Sequence, residues 1–422
     1  MNQQDALSVL KMGHNVFLTG PPGSGKTFLL NQYISYLKQH HKAVAVTAST
    51  GIAATHMNGI TLHSWSGLGI KERVTDKDIR TLMGRRYLRK RLKSANVLII
   101  DEISMLKPNQ FDAVDKICRY FKTSFAPFGG MQVVCSGDFF QLPPIERNGE
   151  AKFIVESFVW NNMNMKICYL EGQFRHKDKK LSDLLNYIRD NMANEAKEIL
   201  LSNEYSENQF SGNIVPTKLY THNADVDTIN SIELDKIEGA EFAYQMTWRG
   251  PKELVASLKK SCLSPERLFL KQGAQVMFIK NNFEAGYVNG TQGKVIGFNN
   301  EKMPIVKTFS GQNITAKMAG WTIDEDDTVK AQINQIPLRL AWAITVHKSQ
   351  GMNLDTAEID LSKCFVEGMG YVAISRLRTL AGLKLIGIND LAFCVNEKAV
   401  EMDKEFRQMS EETMRDLKRW SS

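Results

Sequence analysis

The sequence predicts an α/β protein: a doubly wound parallel sheet, then a second α/β domain that carries an inserted antiparallel barrel. Through the first 170 residues, short apolar runs alternate with helical stretches, as in parallel sheets whose strands are joined by helices. From about Gly273 to Ile336 the pattern changes to short strands separated by Gly and Asn, which is typical of antiparallel structure. The parallel pattern resumes near Pro337.

The first part of the chain supplies the strands of the parallel sheet. Its predicted strands are Asn15–Thr19, Ala43–Thr47, Asn96–Ile100 and Gln132–Ser136. A Gly-rich loop follows the first strand, and Phe28–His40 then has the periodicity of a helix. Residues 178–210 are polar and helical, and a further strand is predicted at Lys218–Thr221.

The later part supplies the barrel. Its predicted strands are residues 275–279, 293–298, 304–309 and 313–317. Asn289-Gly290 is a hairpin signal, because both residues tolerate a positive φ. The last 30 residues have the pattern of an amphipathic helix.

Composition indicates a globular intracellular protein of several domains. The 422 residues exceed one ordinary core, and 43% hydrophobic with 23% charged residues argues against disorder. The apolar runs are too short to span a membrane, and the first residues do not form a secretion signal. The six cysteines have no close pairs, which favours reduced thiols over a zinc site or disulfides. We therefore expect a cytoplasmic or nuclear protein, depending on the host, with no membrane partner.

Residues 20–27 (Gly-Pro-Pro-Gly-Ser-Gly-Lys-Thr) match the full phosphate-binding loop pattern between a predicted strand and a predicted helix. The loop lets backbone N–H groups close on phosphates at a helix N-terminus. Lys26 would reach the β- and γ-phosphates of ATP, and Thr27 would bind Mg²⁺. The other loop residues expected to contact the nucleotide are Gly20, Gly23, Ser24 and Gly25.

Asp101 and Glu102 follow the apolar strand Val97–Ile100. A carboxylate at the end of a buried strand can complete the Mg²⁺ shell, which is the role expected of Asp101. Glu102 is placed to activate the attacking water. Adjacent acids also occur in surface turns, but the upstream phosphate-binding loop favours an NTPase.

A basic segment follows the nucleotide-binding elements. Lys71 to Lys93 contains ten Lys and Arg against three acids, a local net charge of +7 that equals the net charge of the whole chain. An isolated run of this kind is usually a solvated helix face. Next to a nucleotide site, it favours contact with nucleic-acid phosphates.

Further segments make the chain similar to the Pif (petite integration frequency) DNA helicases, in the RecD-like branch of superfamily one, group B. The segments that carry the resemblance are residues 47–54, 59–64, 111–119, 137–144, 340–351 and 370–376. The resemblance implies two RecA-like domains with parallel sheets, a small wedge insertion and an inserted SH3-like β-barrel. Its implied boundaries are 1–170 for the first domain, about 65–95 for the wedge, 171–265 with 337–422 for the second domain, and 266–336 for the barrel.

The resemblance also implies roles for residues outside the two nucleotide motifs. Gln141 would sense the γ-phosphate, and Gly351 would join the nucleotide-binding residues. Arg175 and Arg376 fall at the arginine-finger positions, where a cation stabilises the charge of the phosphoryl-transfer transition state. The adenine-reading residue is expected to be Gln3, with its neighbour Gln4 as the alternative. His176 and Met369 depart from the glutamines usual in the family.

Polar residues near strand ends are candidates to hold the DNA backbone: Thr50, His63, Thr345, His347 and Lys348. Trp65, Phe140 and Trp342 are candidates to stack on bases, since stacking tolerates any sequence. For each of these aromatic residues the alternative is a packed core side chain.

The function implied is an ATP- and Mg²⁺-dependent DNA helicase. It would move along single-stranded DNA in the 5′→3′ direction and unwind duplex, with G-quadruplexes and RNA–DNA hybrids as further candidate substrates. Replication, repair, recombination and telomere maintenance are the processes expected, with forked or structured DNA as partners and a monomer in solution. Three alternatives remain: a small-molecule P-loop kinase, a DNA-stimulated ATPase that remodels protein–DNA complexes without unwinding, and an RNA-directed motor.

Overall fold

The computed structural model describes residues 1–69, 71–144, 152–172, 178–203, 205, 215–220, 225–282, 284–325 and 328–420. The chain divides into two compact units. The first comprises Met1–Arg175, Ile323–Lys330 and Glu397–Ser422, and the second comprises His176–Thr322 and Ala331–Asn396.

The first unit contains a parallel sheet, as predicted. Its strand order is β3-β2-β4-β5-β1-β6, and every pairing is parallel. The strands are β1 (Val16–Thr19), β2 (Val44–Ala48), β3 (Ile60–Thr61), β4 (Val97–Asp101), β5 (Gln132–Ser136) and β6 (Lys166–Tyr169). β1 and β4 are buried at every residue, because helices cover both faces of such a sheet. The predicted α/β class with a parallel sheet is confirmed.

The helices of the first unit come from both ends of the chain. They are α1 (Gln3–Lys11), α2 (Lys26–Gln39), α3 (Gly51–His56), α4 (Leu62–Ser66), α5 (Asp76–Met83), α6 (Arg86–Ser94), α7 (Pro108–Lys122), α8 (Phe158–Asn162) and, after the second unit, α14 (Glu397–Trp420). No helix among the described stretches is long and apolar enough to cross a membrane.

Helix α14 packs on the parallel sheet of the first unit, the compact unit to which Glu397–Ser422 belong. The Ser410 hydroxyl accepts a hydrogen bond from the backbone N–H of Tyr169 (3.0 Å), at the open edge of β6. Lys166 and Asp416 form an ion pair at 2.9 Å. The Phe406 ring lies 5.1 Å from the Phe17 ring of β1, edge to face. The amphipathic pattern predicted the helix but carried no information on which sheet its apolar face would cover.

The basic segment, residues 71–93, contains α5 and α6. Thr75 begins α5 through a capping box in which Thr75 and Asp78 each bond the other's backbone N–H. In α6, Leu88 and Leu92 are fully buried, while Arg85, Arg86 and Arg89 are exposed. Two short helices therefore present most of the basic side chains outward from an apolar anchor, Arg91 being buried.

The second unit has a parallel sheet of its own, in the order β18-β7-β19-β20. Its strands are β7 (Thr217–Tyr220), β18 (Ala343–Thr345), β19 (Ala357–Leu361) and β20 (Leu383–Ile388). The helices of this unit are α9 (Lys179–Arg189), α10 (Ala193–Leu201), α11 (Val226–Asp235), α12 (Lys252–Ser261) and α13 (Met369–Ile374).

Antiparallel strands interrupt the second parallel sheet over the predicted stretch from about Gly273 to Ile336, and also earlier in the chain, where none were predicted. One sheet has the order β14-β13-β12-β11-β17, and two smaller sheets have the orders β15-β16-β9 and β10-β8. The strands are β8 (Glu241–Gln245), β9 (Thr247–Arg249), β10 (Arg267–Lys271), β11 (Gln275–Phe278), β12 (Gln292–Phe298), β13 (Pro304–Thr308), β14 (Asn313–Thr315), β15 (Ala319–Glu325), β16 (Thr328–Gln335) and β17 (Leu338–Leu340). Val276, Val295, Val306 and Leu338 belong to a common apolar core.

Candidate functional site

The phosphate-binding loop connects β1 to α2. Gly20, Gly23 and Gly25 have φ values of +139°, +82° and +88°, which side chains other than glycine rarely adopt. A Cβ at Gly20 would lie 2.4 Å from the carbonyl oxygen of Leu170, so this position admits no side chain. Gly25 caps α2 without a side chain, and the first N–H groups of α2 follow directly. This arrangement is a cradle for an anion.

Lys26 opens α2 with its ammonium folded back over the loop. Its Nζ donates to the carbonyl oxygens of Gly20 (2.7 Å) and Pro21 (3.0 Å). Thr27 follows and is exposed. The cation therefore lies within the anion cradle, and a hydroxyl is available beside it, as the loop chemistry requires.

Asp101 ends β4, where its side chain is buried (7% exposed). Burial raises the pKa of the Asp101 carboxyl; the Ser136 hydroxyl, the Glu102 backbone N–H and the positive charge of Lys26 act in the opposite direction. A buried carboxylate that interacts with the positive charge of Lys26 is also suited to bind a metal cation. A buried carboxylate and an exposed hydroxyl are oxygen donors of the kind that suits Mg²⁺.

Glu102 has a left-handed backbone (φ 53°, ψ 48°), which is unusual for a residue other than glycine. The Ser49 hydroxyl donates to its carbonyl oxygen and holds this conformation. Such a backbone costs about 1–3 kcal/mol and is concentrated at functional sites. This backbone conformation turns the chain sharply where Glu102 follows Asp101.

Gln141 lies in the segment that follows β5. Its side chain is 6% exposed, and its buried Oε1 accepts no hydrogen bond from any described residue. The backbone is tightly folded here, since Gln141 N–H donates to the Asp138 carbonyl (3.1 Å) and Phe140 N–H to the Asp138 carboxylate (3.2 Å). A buried amide oxygen without a partner costs about 1–3 kcal/mol, which indicates that a ligand or water completes it.

Gln3, and not Gln4, contacts the phosphate-binding loop. The Gln3 Nε2 donates to the carbonyl oxygen of Ser24 (3.3 Å), whereas Gln4 is exposed. The amide group of Gln3 is therefore at the edge of the nucleotide cradle.

Comparisons with known proteins decide the family. The family model described as PIF1-like helicase matches residues 3–200, and that of the DNA helicase Pif1 2B domain matches residues 253–298. The ATP-dependent DNA helicase Pif1 of Psychrobacter sp. (strain PRwf-1) is 43% identical over 472 residues, covering 97% of this chain and 71% of the relative. The chain belongs to the Pif1 helicase family. It is an ATP-driven DNA helicase with ATP and Mg²⁺ as its cofactors.

Solved Pif1 structures share the fold. Bacteroides sp Pif1 in complex with ADP-AlF4 superposes with a TM-score of 0.80 at 30% identity, over 96% of both chains. Bacteroides Pif1 bound to ssDNA has a TM-score of 0.63 at 31% identity, over 97% of both chains. The resemblance inferred from the sequence motifs is thus confirmed, with DNA as the partner of this Pif1-family chain.

The segment that resembles a Pif-family signature, residues 111–119, is structural in this member. The Asp112 carboxylate accepts hydrogen bonds from the Ser157 hydroxyl (2.5 Å) and the Val159 N–H (3.1 Å), at the start of α8. Asp115 accepts the Phe128 N–H (2.6 Å) and pairs with Arg119 (2.7 Å). The segment therefore fixes α7 to the loops around it.

The candidate DNA residues of the first unit are only partly exposed. The Thr50 hydroxyl accepts the Ala53 N–H (3.3 Å) at the start of α3. His63 is half-buried, and burial lowers its pKa against the opposing effect of a hydrogen bond with Gln110. Trp65 and Phe140 are both 3% exposed, so the packed-core alternative is correct for these two.

The candidate DNA residues of the second unit lie at the end of β18 and directly after it. The Thr345 hydroxyl accepts the Lys348 N–H (3.3 Å), which closes the turn that carries His347. Burial lowers the pKa of His347, which favours the neutral form of this ring. The Lys348 ammonium pairs with Asp227 at 3.6 Å. Trp342 is partly buried against the apolar core of the antiparallel sheet.

Arg376 lies just after α13 and is 2% exposed. Its Nε donates to the Val372 carbonyl (3.0 Å), and its Nη2 donates to the Ser375 hydroxyl (2.9 Å). Gly351 adopts a φ of +74° in the turn after β18. Met369, one of the departures from the family pattern, is buried at the start of α13. Arg175 and His176 lie outside the described residues.

Two features of the segments that carry the proposed nucleotide site were not predicted from the sequence. Ser49 shapes the backbone of Glu102 from a neighbouring strand end, and no local pattern links residues so far apart. Phe28 is 59% exposed immediately after Thr27, unlike Leu29 and Leu30, which are fully buried. The signal for Phe28 in the sequence was its position, since it is an aromatic residue that directly follows the phosphate-binding loop.

Proposed function

We propose that this helicase translocates 5′→3′ along single-stranded DNA and separates the duplex ahead of it. The main support is the likeness, over 97% of both chains, to Bacteroides Pif1 bound to ssDNA. The first unit supplies a complete phosphate cradle with a buried carboxylate beside it, which is the machinery of an ATP-driven step. The direction of movement rests on the family resemblance.

The proposed chemistry assigns one role to each group at the nucleotide site. Backbone N–H groups of the loop and Lys26 hold the phosphates, and Thr27 and Asp101 hold Mg²⁺. Glu102 takes the proton of the attacking water, and Gln141 hydrogen-bonds that water or the γ-phosphate through its buried amide. Gln3 reads the adenine edge. Arg376 and Arg175 supply positive charge to the transition state, and Gly351 completes the nucleotide contacts.

The proposed domain roles follow the same division. Residues 1–170 and the parallel sheet of the second unit act as RecA-like domains, and residues 266–336 form an SH3-like barrel. The basic segment acts as the strand-separating wedge. The DNA backbone is held by Thr50, His63, Thr345, His347 and Lys348.

Forked and structured DNA are the proposed substrates, including G-quadruplexes and RNA–DNA hybrids, in replication, repair, recombination or telomere maintenance. The protein is proposed to be a monomer in solution. Analytical ultracentrifugation with and without an oligonucleotide tests the last point. A dimer in the absence of DNA would contradict it.

The first experiment measures ATP hydrolysis with and without oligothymidylate at a fixed salt concentration, because phosphate contacts are strongly salt-dependent. Strong stimulation that disappears in Glu102→Gln is expected. Hydrolysis that is indifferent to DNA would contradict a DNA-driven motor. Gln4→Ala is a matched control for Gln3→Ala, since only Gln3 contacts the loop; only the Gln3 variant is expected to raise the KM for ATP.

The second experiment tests polarity and unwinding. Duplexes with either a 5′ or a 3′ single-stranded tail are compared under single-turnover conditions. Unwinding of the 5′-tailed substrate alone is expected, and equal or opposite activity would overturn the proposed direction. Quadruplex and RNA–DNA hybrid substrates with the same 5′ tail then rank the structures that the motor resolves.

A further inference from the structure

Gln292 joins the antiparallel sheet of the second unit to its parallel sheet. It is the first residue of β12 and is fully buried. Its Nε2 donates to the Thr217 hydroxyl (2.5 Å) and to the Thr356 carbonyl (3.0 Å). Its Oε1 accepts the backbone N–H groups of Asp355 and Thr356, both at 2.9 Å. Every donor and acceptor of this amide is therefore used, which makes the connection rigid.

Asp355 extends this network to Arg378. The Asp355 carboxylate accepts the Gln292 N–H (3.3 Å) and pairs with Arg378 at 2.9 Å, while its side chain is only 16% exposed. Burial raises the pKa of the Asp355 carboxyl, and the charge of Arg378 opposes this. Arg378 also donates from Nη2 to the Thr291 hydroxyl (3.2 Å), next to Gln292. A single guanidinium thus bridges the two segments.

The same segment fixes the backbone of Arg376. The Leu354 N–H donates to the Arg376 carbonyl (2.8 Å), and the Arg378 N–H donates to the Leu354 carbonyl (3.0 Å). Leu377 therefore pairs with Leu354 in an isolated parallel β-bridge. The position of Arg376 depends on the segment that Gln292 and Arg378 hold.

We propose that Arg378 is a positioning residue for ATP hydrolysis: with Gln292, it links the antiparallel sheet to the segment that carries Arg376. This inference rests on the proposed transition-state role of Arg376. A shift of the antiparallel sheet, such as one caused by DNA contact, is transmitted through Thr291 and Asp355 to Arg376. Arg378 itself touches neither nucleotide nor DNA in this mechanism.

Loss of the Arg378 side chain is expected to lower the turnover rate and to leave the binding of ATP and DNA nearly unchanged. Displacing a catalytic group by about 1 Å lowers the rate by about 100-fold. We expect Arg378→Ala to lower kcat by about 10- to 100-fold, while the KM for ATP and the Kd for oligothymidylate change by about twofold or less. Arg378→Lys keeps a cation beside Asp355 but loses the second N–H to Thr291, so a smaller fall in kcat is expected.

The test is a double-mutant cycle with Arg376→Ala, Arg378→Ala and the combined variant, measured as DNA-stimulated kcat. Lys384→Ala is the matched control, because Lys384 forms an ion pair with Glu358 (3.2 Å) in the same parallel sheet but is not part of the network. Non-additive effects, with the combined variant no slower than Arg376→Ala, would support positioning. Additive effects, or an equal loss in Lys384→Ala, would overturn it.

Two results separate this inference from the function on which it rests. If Arg376→Ala leaves kcat unchanged, the proposed role of Arg376 is wrong. The inference that Arg378 positions Arg376 for hydrolysis is then wrong as well. If Arg376→Ala abolishes turnover but Arg378→Lys, folded as judged by its melting temperature, retains full kcat, only the positioning inference is wrong. Should Arg378→Ala not fold, the cycle is run with Arg378→Lys and the same criteria apply.

Discussion

Arg91 differs from its neighbouring arginines in the basic segment, because its side chain supports the fold whereas theirs are proposed to contact DNA. Unlike Arg85, Arg86 and Arg89, it is only 8% exposed. Its Nη1 donates to the carbonyl oxygens of Ser64 (3.2 Å) and Trp65 (3.3 Å), at the C-terminal end of α4. A cation at that end of a helix also interacts favourably with its dipole. We therefore expect Arg91 to stabilise the first unit and not to contact DNA.

The magnitude follows from these contacts. Two hydrogen bonds from a charged donor contribute about 1.5 kcal/mol each at the low end of the usual range, so Arg91→Ala should cost about 3 kcal/mol. In a unit of roughly 200 residues, each kcal/mol lowers the melting temperature by about 2–4 °C. The expected fall is therefore about 6–12 °C. Arg89→Ala loses a single exposed contact with Met83, and we expect a loss of less than about 1 kcal/mol.

The assay combines thermal unfolding with strand displacement and ATP hydrolysis. The variant with Arg85, Arg86 and Arg89 all changed to Ala is expected to melt like the wild type and to lose unwinding more than hydrolysis. Arg91→Ala is expected to melt early. An Arg91→Ala protein with wild-type melting and an unwinding defect equal to that of the triple variant would refute this division of roles.

Three further predictions concern other parts of the chain. Lys26→Ala should lower kcat by about 100-fold or more and leave oligothymidylate binding largely intact, as fluorescence anisotropy would show; lost binding in a folded variant would contradict the role of Lys26. The pKa values of His63 and His347 lie below the usual 6.5 because of burial, so the unfolded chain takes up protons first as the pH falls. The free energy of unfolding should therefore decrease below about pH 6.5. The loss is about 1.4 kcal/mol for each pH unit by which the pKa of a histidine in the folded protein lies below its pKa in the unfolded chain. A pH series of melting curves for the wild type, His63→Gln and His347→Gln checks this. Phe406→Ala should destabilise the first unit by about 3–5 kcal/mol in denaturant titration, whereas Phe125→Ala, at a residue 97% exposed, should not.

The elements that carry the proposed nucleotide site were predictable because they are local. The phosphate-binding loop lies between β1 and α2 in consecutive residues, and Asp101 ends an uninterrupted apolar strand. Strand and helix periods fix such elements without knowledge of the rest of the chain. The antiparallel segment was recognised for the same reason, since Gly and Asn mark its turns.

Features that depend on distant contacts were not predictable. The charge of Arg91 is visible in the sequence, but its burial under α4 depends on carbonyl groups 26 and 27 residues away. The aromatic rings of Trp65 and Phe140 are equally suited to bases and to a core, and only packing decides between them. The network around Gln292 joins residues more than 60 positions apart, and no spacing rule connects them.

The placement of α14 has a consequence for protein synthesis. Ser410 on this helix satisfies an N–H on the edge strand β6, which would otherwise offer a pairing surface to other chains. Between Arg175 and Glu397 the ribosome must add roughly 220 residues, which takes roughly 10–45 s. During that interval the edge strand β6 of the nascent N-terminal sheet lacks this cover and remains open to pairing with other chains. Variants that stop before Glu397 should therefore yield aggregates even though every residue of the nucleotide site is present.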